Sequence, residues 1–416
     1  MARLYRLKSR FLAYFVFVNV IVIGGGAAGF FTAINIAEKH PNYRVSILEK
    51  SGKILQKVKV SGGGRCNVTN ERSLPSELVK FYPRGSKKLH SLFKTFSTED
   101  MVRWLEEHGV QTKAEADKRM FPVTDNSQTI IDCFVKAAEK HKISLHLNEG
   151  VTKLEQIENQ WKITTSKQEI FAYKVVVATG SSPATWKVLE ETGLEMTDVV
   201  PSLFTFNIKD ERIQDLQGVS FEKASVKVVG TKLTERGPLL ITHWGLSGPA
   251  ILKLSAWGAY ELAKKNYHFE VLVNFTGDMK PDEIRNHITS YMQSNPKRKV
   301  VNYPLFDLPK RFWERMTQYC EISDQTPFGE LSKKMINKLV EELGQGRYEV
   351  NGKSTFKEEF VTAGGIKLSE VDLNTFECKR FPNLYLAGEV LDIDALTGGF
   401  NFQACWSAGW VISESV

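Results

Sequence analysis

Three glycines in a G-x-G-x-x-G pattern, Gly24, Gly26 and Gly29, have the spacing of a turn that binds phosphate groups. They follow a strand-like apolar run at residues 20–23 and precede a helix-like stretch at residues 27–40. In this context the first glycine permits a tight turn, the second lets a diphosphate approach the backbone, and the third lets the helix pack on the strand. Backbone amides at the helix N-terminus then face the phosphates.

A carboxylate supports the interpretation of this turn as a dinucleotide site. Glu49 lies twenty residues after Gly29, at the end of a second strand predicted over residues 43–49. Such a carboxylate accepts hydrogen bonds from the adenosine ribose hydroxyls and repels a 2′-phosphate. The alternative is a structural turn with a surface glutamate, because glycine-rich turns are common. The strand–turn–helix context favours the dinucleotide site.

Two further segments bring small residues to places where a ring or a phosphate could approach. The run SGGGRCN at residues 61–67 exposes backbone amides and carries the positive charge of Arg65. Its alternatives are a flexible surface loop and, for Cys66, a packing residue instead of a redox group. A buried strand predicted over residues 171–178 ends in Thr179 and Gly180. Strands that end in this way approach a cofactor or another backbone closely.

A fourth segment lies late in the chain. The strand-like run at residues 383–387 leads into Gly388 and Glu389, and so places a carboxylate at the edge of the sheet where ligands of α/β proteins bind. The run TGGFN at residues 397–401 opens a helix, whose N-terminus stabilises negative charge such as that on a reduced flavin. We interpret Asp392 and Asp394, which lie between these runs, as loop carboxylates that face water.

The elements around these motifs indicate the frame that positions them. The first half alternates strand-like and helix-like segments, which is typical of an α/β fold with parallel strands. From about Pro201, short alternating runs indicate antiparallel strands of a small barrel or sandwich. Helical patterns follow, then a strand-like region near Glu358. The segments predicted outside the motifs are helices at 98–108, 127–141, 281–293, 310–319 and 328–342, and strands at 202–208, 224–229 and 268–275.

Composition bounds the class of protein. The chain has 416 residues, of which 42% are hydrophobic and 25% charged, so we expect a globular protein of more than one domain. Its net charge of +7 suits an anionic ligand such as a dinucleotide, and no dense basic stripe typical of nucleic-acid binding is visible. The cysteines are odd in number and without metal-ligand spacing, which predicts free thiols, a reducing compartment and no metal. They are Cys66, Cys133, Cys320, Cys378 and Cys405.

The N-terminus imitates a signal peptide, because basic residues precede an apolar run at residues 11–23. Cleavage after that run would remove the strand that the glycine turn requires. The run is also shorter than the roughly 20 residues of a membrane span. We therefore expect a cytoplasmic protein without a membrane span, whose residues 1–18 form a loose extension.

The four glycine-bearing segments together resemble a flavoprotein family of bacterial proteins labelled NAD(FAD)-utilising dehydrogenases, which includes aminoacetone oxidases and bile-acid flavin reductases. The matching strings run from about residue 20 to 409, and SGGGRCN and AGEVLD with TGGFN are the most specific to the family. The strings are VIVIGGGAAGFFTA, LEK, KVKVSGGGRCNVTN, THWGLSGPAIL, FVTAGGI and LYLAGEVLDIDALTGGFNFQACWSAG. The basic extension before the first strand has no counterpart in these motifs.

The resemblance implies an α/β fold in which a Rossmann-type FAD-binding domain carries an inserted β-barrel-like domain and a helical subdomain. The expected ranges are 19–200 with 361–416 for the FAD domain, 201–280 with 345–360 for the barrel-like substrate domain, 281–344 for the helical subdomain and 1–18 for the extension.

The resemblance also implies that FAD is bound non-covalently. Glu49 would bind the ribose, the backbone of Val151 would contact the adenine, Glu389 would hold the ribitol or diphosphate, and residues 399–401 would lie beside the isoalloxazine. The residues expected to bind the cofactor are Gly24, Gly26, Ala27, Ala28, Gly29, Glu49, Lys50, Ser61, Gly62, Gly63, Arg65, Asn67, Val151, Thr179, Gly180, Gly388, Glu389, Gly398, Gly399, Phe400 and Asn401.

The expected activity is that of an FAD-dependent oxidoreductase acting on a small organic substrate, with hydride transfer through flavin N5. An NAD(P)H-dependent reductase and an amine-type oxidase both fit. Because no second G-x-G-x-x-G is visible, a dedicated NAD(P)H domain is not expected, which favours an oxidase, or NAD(P)H as a transient electron donor that docks over the flavin. The weak catalytic candidates are His243 and Arg65; a structural role is favoured for His243 and cofactor binding for Arg65.

A different class of function stays open, namely an FAD-containing RNA-associated or sensory binding protein without classical dehydrogenase turnover. The positive charge is compatible with it. No nucleic-acid partner is expected, however, because compact basic–aromatic patches are missing from the sequence. The sequence indicates neither a particular substrate nor an oligomeric state.

Overall fold

The computed structural model describes residues 18–354 and 361–416. The predicted N-terminal extension, apart from Val18, and the strand-like region near Glu358 lie outside the described residues. Within them, no helix combines the length and the apolar character that crossing a bilayer demands.

A five-stranded parallel sheet forms the centre of the part of the molecule that carries the first glycine turn. Its elements up to residue 191 are β1 (Val18–Ile23), α1 (Ala27–Lys39), β2 (Tyr43–Leu48), α2 (Gln56–Gly64), β3 (Thr69–Asn70), α3 (Pro75–Leu78), α4 (His90–Thr95), α5 (Thr98–Glu107), β4 (Thr112–Ala114), β5 (Arg119–Pro122), α6 (Ser127–Lys140), β6 (Ser144–His146), β7 (Val151–Ile157), β8 (Gln160–Thr165), β9 (Glu169–Ala172), β10 (Lys174–Val177) and α7 (Pro183–Glu191).

The middle of the chain forms a second group of elements. They are β11 (Met196–Ser202), β12 (Thr205–Asn207), β13 (Ser220–Val228), β14 (Thr234–Ile241), β15 (Gly245–Ser247), α8 (Pro249–Trp257), α9 (Ala259–Lys264), β16 (His268–Asn274), α10 (Pro281–Ser294), α11 (Lys310–Tyr319), α12 (Lys333–Gln345), β17 (Gly346–Asn351) and β18 (Lys353–Ser354). After residue 360 follow β19 (Val361–Ile366), β20 (Leu384–Leu386) and α13 (Phe400–Ser415).

Both ends of the described chain build the parallel sheet. Its strand order is β20-β10-β1-β2-β6, and every neighbouring pair is parallel. The strands are apolar because helices cover both faces of such sheets, and residues 20, 22 and 175–177 are fully buried. This sheet confirms the predicted α/β class with a Rossmann-type domain. One hydrophobic core, called the first core here, unites residues between 20 and 194 with residues between 366 and 416.

The middle of the chain encloses a second core, whose buried residues lie between 204 and 350. Its seven-stranded sheet has the order β17-β16-β13-β14-β15-β12-β18 and only antiparallel neighbours. Alternating burial along β13 and β17 is typical of a sheet with one face on the core. Three helices, α10, α11 and α12, add Ile288, Trp313 and Leu339 to this core. The domain boundaries in residue numbers stay a prediction.

Three predicted segments were wrong in part. Residues 171–178 form two strands, because β9 pairs antiparallel with β8 whereas β10 joins the parallel sheet. Residues 202–208 are likewise divided between β11 and β12, which belong to different sheets. The helix predicted over 328–342 begins only at Lys333, where Ser332 caps it by accepting a hydrogen bond from Met335 N at 3.2 Å.

Candidate cofactor site and the cleft beside it

The turn between β1 and α1 is shaped by glycines that serve two different purposes. Gly24 has φ +113°, and a Cβ there would lie 2.5 Å from the carbonyl oxygen of Ala178. A Cβ on Gly29 would overlap the carbonyl of Gly24. At Gly26, in contrast, no described atom lies within 4 Å of the Cβ position, and no described side chain caps α1. The first amides of α1 are therefore free donors beside open space.

Glu49 is held at the end of β2 by the backbone. Its Oε2 accepts from Gly25 N and its Oε1 from Ser51 N, both at 2.8 Å. Each oxygen keeps further capacity to accept a hydrogen bond, which suits a ribose diol. Val151 begins β7 two residues after Glu149, whose amide donates to the Glu49 carbonyl at 2.8 Å. The structure thus brings Val151 to the same end of the sheet.

A second carboxylate lies at the carboxyl end of the neighbouring strands. A Cβ on Gly180 would lie 3.6 Å from Oε2 of Glu389, whose side chain is 10% exposed. Lys57 of α2 forms an ion pair with Glu389. The hydroxyl of Thr179 is buried and has no partner among the described residues. Sequence reasoning missed Lys57, although the quoted string KVKVSGGGRCNVTN contains it.

Lys50 lies beside this group. Its Nζ donates to Ser182 Oγ at 3.3 Å. Gly388, the residue before Glu389, lies against the start of α1, because a Cβ there would lie 3.3 Å from the Cβ of Ala28. The residue that follows β20 by two positions therefore lies beside the first glycine turn. A cofactor bound by both ends of the chain requires this proximity.

The glycine run at residues 61–64 is an ordered kink at the end of α2. Ser61 closes it, because its carbonyl accepts from Cys66 N at 2.9 Å. Gly62, Gly63 and Gly64 follow with φ of +60°, +69° and +85°. Gly62 packs on Phe121, whereas no described atom lies within 4 Å of the Cβ positions of Gly63 and Gly64. The kink therefore leaves one side open for a flat ring.

Cys66 and Arg65, the two residues after the kink, are engaged within the protein. Cys66 is fully buried, and burial raises the pKa of its thiol to about 12, so it stays protonated and packs. Arg65 donates to Glu115 Oε1 at 2.6 Å and lies 4.1 Å above the ring of Phe121. Its charge is therefore neutralised within the protein, and its predicted contact with the cofactor stays a prediction.

The turn at residues 395–401 is fixed by two asparagines. Asn401 accepts from Ala395 N at 2.9 Å and donates to Ala395 O at 3.0 Å. The side-chain amide of Asn67 is oriented so that its oxygen accepts from Gly399 N at 2.9 Å and its nitrogen donates to Thr69 O at 2.9 Å. Gly399 has φ +85°, and a Cβ there would overlap the carbonyl of Thr69. The predicted residues of the second and fourth segments are thus brought together.

One aromatic stack supports this turn from the side. Phe400, which begins α13, is buried, and its ring stacks on Phe81 with centroids 4.2 Å apart and an interplanar angle of 12°. The guanidinium of Arg72 lies 5.0 Å above Phe81. Gly398 is tied to the same region because its carbonyl accepts from Asn70 Nδ2 at 3.0 Å.

A buried ion pair between two distant segments of the first-core part of the chain lies close to this turn. Asp394, fully buried, pairs with Arg84 and accepts from Ser202 Oγ at 2.8 Å, while Arg84 also donates to Ala256 O at 2.6 Å. The interpretation of Asp394 as facing water was wrong, because partners from distant segments enclose it. For Asp392 it was wrong in part: one carboxylate oxygen is buried without a described partner, and the other accepts from Thr197 at 3.0 Å.

A cavity of about 460 Å³, here called the intercore cleft, lies between the two cores. It borders the 395–401 turn through Leu396 and through Phe81, which stacks on Phe400. In the described structure neither His243 nor Arg65 lines it, and His243 is exposed on the short turn between β14 and β15. The lining residues are Arg72, Glu77, Lys80, Phe81, Lys118, Glu235, Lys253, Trp257 and Leu396.

The family model described as HI0933-like protein Rossmann domain matches residues 18–415. The ribosomal RNA dihydrouridine synthase of Escherichia coli (strain K12) is 28% identical over 410 residues, which cover 96% of this chain and 98% of that protein. The 3-dehydro-bile acid delta(4,6)-reductase of Clostridium scindens is 24% identical over 407 residues, with 95% and 98% covered.

Among solved structures, 3-ketosteroid-Δ4-(5α)-dehydrogenase from Rhodococcus jostii RHA1 matches with a TM-score of 0.50 and 14% identity over 98% of this chain and 99% of that one. The 3-ketosteroid Δ1-dehydrogenase from Sterolibacterium denitrificans matches with a TM-score of 0.50 and 12% identity over 95% and 98%. At these identities the likeness shows the fold.

Proposed function

This chain belongs to the HI0933-like Rossmann family, and from that membership we propose that it is an FAD-dependent reductase that hydrogenates a carbon–carbon double bond conjugated to a carbonyl group. The names of the two relatives support this class. Forming dihydrouridine from uridine, and reducing a 3-dehydro Δ4,6 compound, both saturate a double bond conjugated to a carbonyl. The same names favour a reductase over an amine-type oxidase.

The observation that carries the proposal is the open space at Gly26 beside the uncapped start of α1. A diphosphate fits there, because free amides and the helix N-terminus attract negative charge. Glu49 would bind the adenosine ribose. Between this site and the kink at residues 61–64, the cofactor would pass the unpartnered Thr179 hydroxyl and the ion pair of Glu389 with Lys57. The donor set therefore fits FAD, held non-covalently.

When bound, FAD would supply hydride chemistry: one carbon of the substrate double bond would receive a hydride that originates from NAD(P)H as a transient donor, and the other carbon would take a proton from water. The kink at residues 61–64 and the 395–401 turn would hold the isoalloxazine end between them. The turn keeps its shape without the cofactor because Asn67 and Asn401 bond to its backbone. The substrate enters from the intercore cleft, which borders the 395–401 turn through Leu396.

A uridine within ribosomal RNA is the substrate that the cleft favours. Of the two relatives reported, the dihydrouridine synthase is the more similar. Four cations, Arg72, Lys80, Lys118 and Lys253, line the cleft against two carboxylates, Glu77 and Glu235. A polyanion is attracted by such an excess of positive charge, whereas a steroid acid carries a single negative charge.

The test follows flavin absorbance under anaerobic conditions. We expect NADH or NADPH to bleach the holoprotein, and a uridine-containing ribosomal RNA fragment to restore the colour while one uridine gains two hydrogen atoms by mass spectrometry. Bleaching by an amine alone, with rapid return of colour and peroxide on admission of air, would mean an oxidase. Return of colour with a 3-oxo-4,6-diene steroid acid and none with RNA would confine the reductase to small molecules.

A further inference from the structure

An exposed tryptophan forms part of the wall of the intercore cleft. Trp257 ends α8 and is 43% exposed. Lys253 precedes it by four residues on the same helix, so both side chains lie on one face. The second core therefore presents one aromatic ring and one cation to the cleft, and both line the cavity.

The opposite wall, from the first core, repeats this combination. Arg72 lies above Phe81, and Lys80 and Lys118 line the same cavity. Within residues 18–354 and 361–416, none of these three cations nor Lys253 forms a salt bridge, whereas Arg65 and Arg84 are both paired. Cationic side chains that form no salt bridge, placed around a cavity, suit an anionic ligand.

The dimensions and chemistry of the cleft suit a nucleotide. Its volume of about 460 Å³ lies within the range of ligand pockets. Single-stranded nucleic acids are bound by grooves that combine positive charge with aromatic rings, on which the bases stack.

We infer that the intercore cleft is a nucleotide clamp, in which Trp257 stacks on an RNA base while Arg72, Lys80, Lys118 and Lys253 bind the phosphates on either side of it. This inference rests on the proposed function, since it assumes that the substrate is a uridine in RNA. The clamp gives the enzyme a way to hold an unpaired segment beside the 395–401 turn, where the reacting base must lie.

The first experiment measures binding of a fluorescently labelled single-stranded ribosomal RNA fragment to the FAD-loaded protein. Stacking of one base predicts that Trp257→Ala weakens binding about five- to 150-fold, while Trp257→Phe keeps most of the affinity. The matched control is Trp244→Ala, since Trp244 is 55% exposed and does not line the cleft. It is expected to bind like the unaltered protein.

A second measurement separates charge from stacking with heparin, a polyanion that has no bases. Lys80→Gln and Lys253→Gln are expected to weaken both RNA and heparin binding, and each is expected to reduce the slope of log K against log salt for RNA by about 0.7. Trp257→Ala is expected to weaken only RNA binding. Equal weakening of heparin binding would show that Trp257 shapes the cleft without stacking, and would overturn the inference.

Failure of the inference and failure of the proposed function have different signatures. If Trp257→Ala binds and reduces RNA like the unaltered protein, the clamp is wrong and the proposed function stands. If the unaltered protein is bleached by NAD(P)H but neither binds nor reduces RNA, the proposed substrate is wrong and the clamp with it. Thermal unfolding of each variant checks that the exposed substitutions leave the fold intact.

Discussion

At the scale of single residues, glycine has two distinct uses in the cofactor site. At Gly24 and Gly29 the backbone or a neighbouring carbonyl occupies the place of a side chain, so glycine is a condition of folding. At Gly26 the place of a side chain is open, so glycine is a condition of binding. The sequence pattern alone cannot separate these uses, because all three positions belong to one motif.

This difference predicts that Gly26→Asp folds but does not bind FAD. The aspartate side chain has room in the protein, yet it fills the diphosphate site and repels its charge. Gly26→Ala should fold equally well and bind FAD more weakly than the unaltered protein. Flavin absorbance after gentle purification reports binding, and circular dichroism reports the fold. A yellow Gly26→Asp protein with normal FAD content would contradict the proposed site.

The Arg84–Asp394 pair places a buried carboxylate beside one cationic partner. The Arg84 side chain is 12% exposed and that of Asp394 is fully buried. Burial raises the pKa of Asp394 above its ordinary value, and the nearby Arg84 lowers it in part. Because the folded pKa is raised, the stability linked to protonation of Asp394 is full at low pH and is lost as the pH rises through the folded pKa.

Arg84→Met should therefore lower the free energy of unfolding by about 3–5 kcal/mol near neutral pH, since it leaves a buried carboxylate unpaired. The deficit should shrink as the pH falls, because protonation removes the unpaired charge. Urea unfolding across a pH series measures both effects.

Two controls accompany the Arg84 series. Arg84→Met with Asp394→Asn should recover most of the stability, because it removes both charges. Arg347→Met breaks an exposed pair with Glu270, whose side chains are 55% and 40% exposed, and should cost less than about 1 kcal/mol. A pH-independent deficit in Arg84→Met would mean that packing, not charge, is what Arg84 provides.

At the scale of elements, the position of α13 beside the cofactor site depends on the backbone of its first residues. Gly399 is its N-cap in the left-handed region, pressed against Thr69. Gly63 is also left-handed but has open space around its Cβ position. Substitutions at the two glycines therefore distinguish the free-energy cost of a left-handed backbone from the cost of a steric clash.

Gly63→Ala should lose about 1–2 kcal/mol, the cost of a left-handed non-glycine residue. Gly399→Ala should lose clearly more, because a methyl group there overlaps a backbone carbonyl that cannot move without shifting β3. Chemical denaturation of both variants measures the difference. Equal losses would mean that the 395–401 turn relaxes freely, contrary to the asparagine bonds that hold it.

The sequence predicts those elements best whose pattern is local. β2, α10, α11 and the last strand and helix were predicted to within two residues at their start, because apolar periodicity or a glycine turn marks them. Residues 171–178 were wrongly predicted to form one strand, because an apolar run does not show that the chain turns at Tyr173 between two sheets. The burial of Asp394 and the ion pair of Lys57 with Glu389 depend on residues far apart in the sequence, and no local pattern encodes them.

At the scale of the whole molecule, the positive charge of the intercore cleft comes from residues that lie far apart in the sequence. Arg72, Lys80, Lys118 and Lys253 are separated by between eight and well over a hundred residues, so no basic stripe is visible in the sequence. The fold brings them around one cavity together with Phe81 and Trp257. The expectation that RNA is not a partner relied on compact linear patches, and the arrangement in space offers a patch of another kind.

The division into two cores predicts where FAD stabilises the protein. Saturating FAD should slow amide hydrogen exchange in the parallel sheet and at the starts of α1 and α13. The seven-stranded sheet should change little, because its core contains none of the proposed FAD-binding residues. Exchange followed by mass spectrometry of peptides measures this. Equal protection of both cores would mean that FAD binding and the second core are strongly coupled.

The parallel sheet, closed on one side by β20, also has a consequence for biosynthesis. At about 5–20 residues per second, a ribosome needs roughly 20 to 70 seconds to translate the chain from Ile23 to Leu384. During this time β10 lacks β20, its late neighbour, whereas the second core is contiguous in sequence and is complete earlier. The second core can therefore fold before the parallel sheet is complete. The protein can bind its flavin only after β20 and α13 have left the exit tunnel. A protein truncated before them would expose an apolar sheet edge to chaperones and proteases.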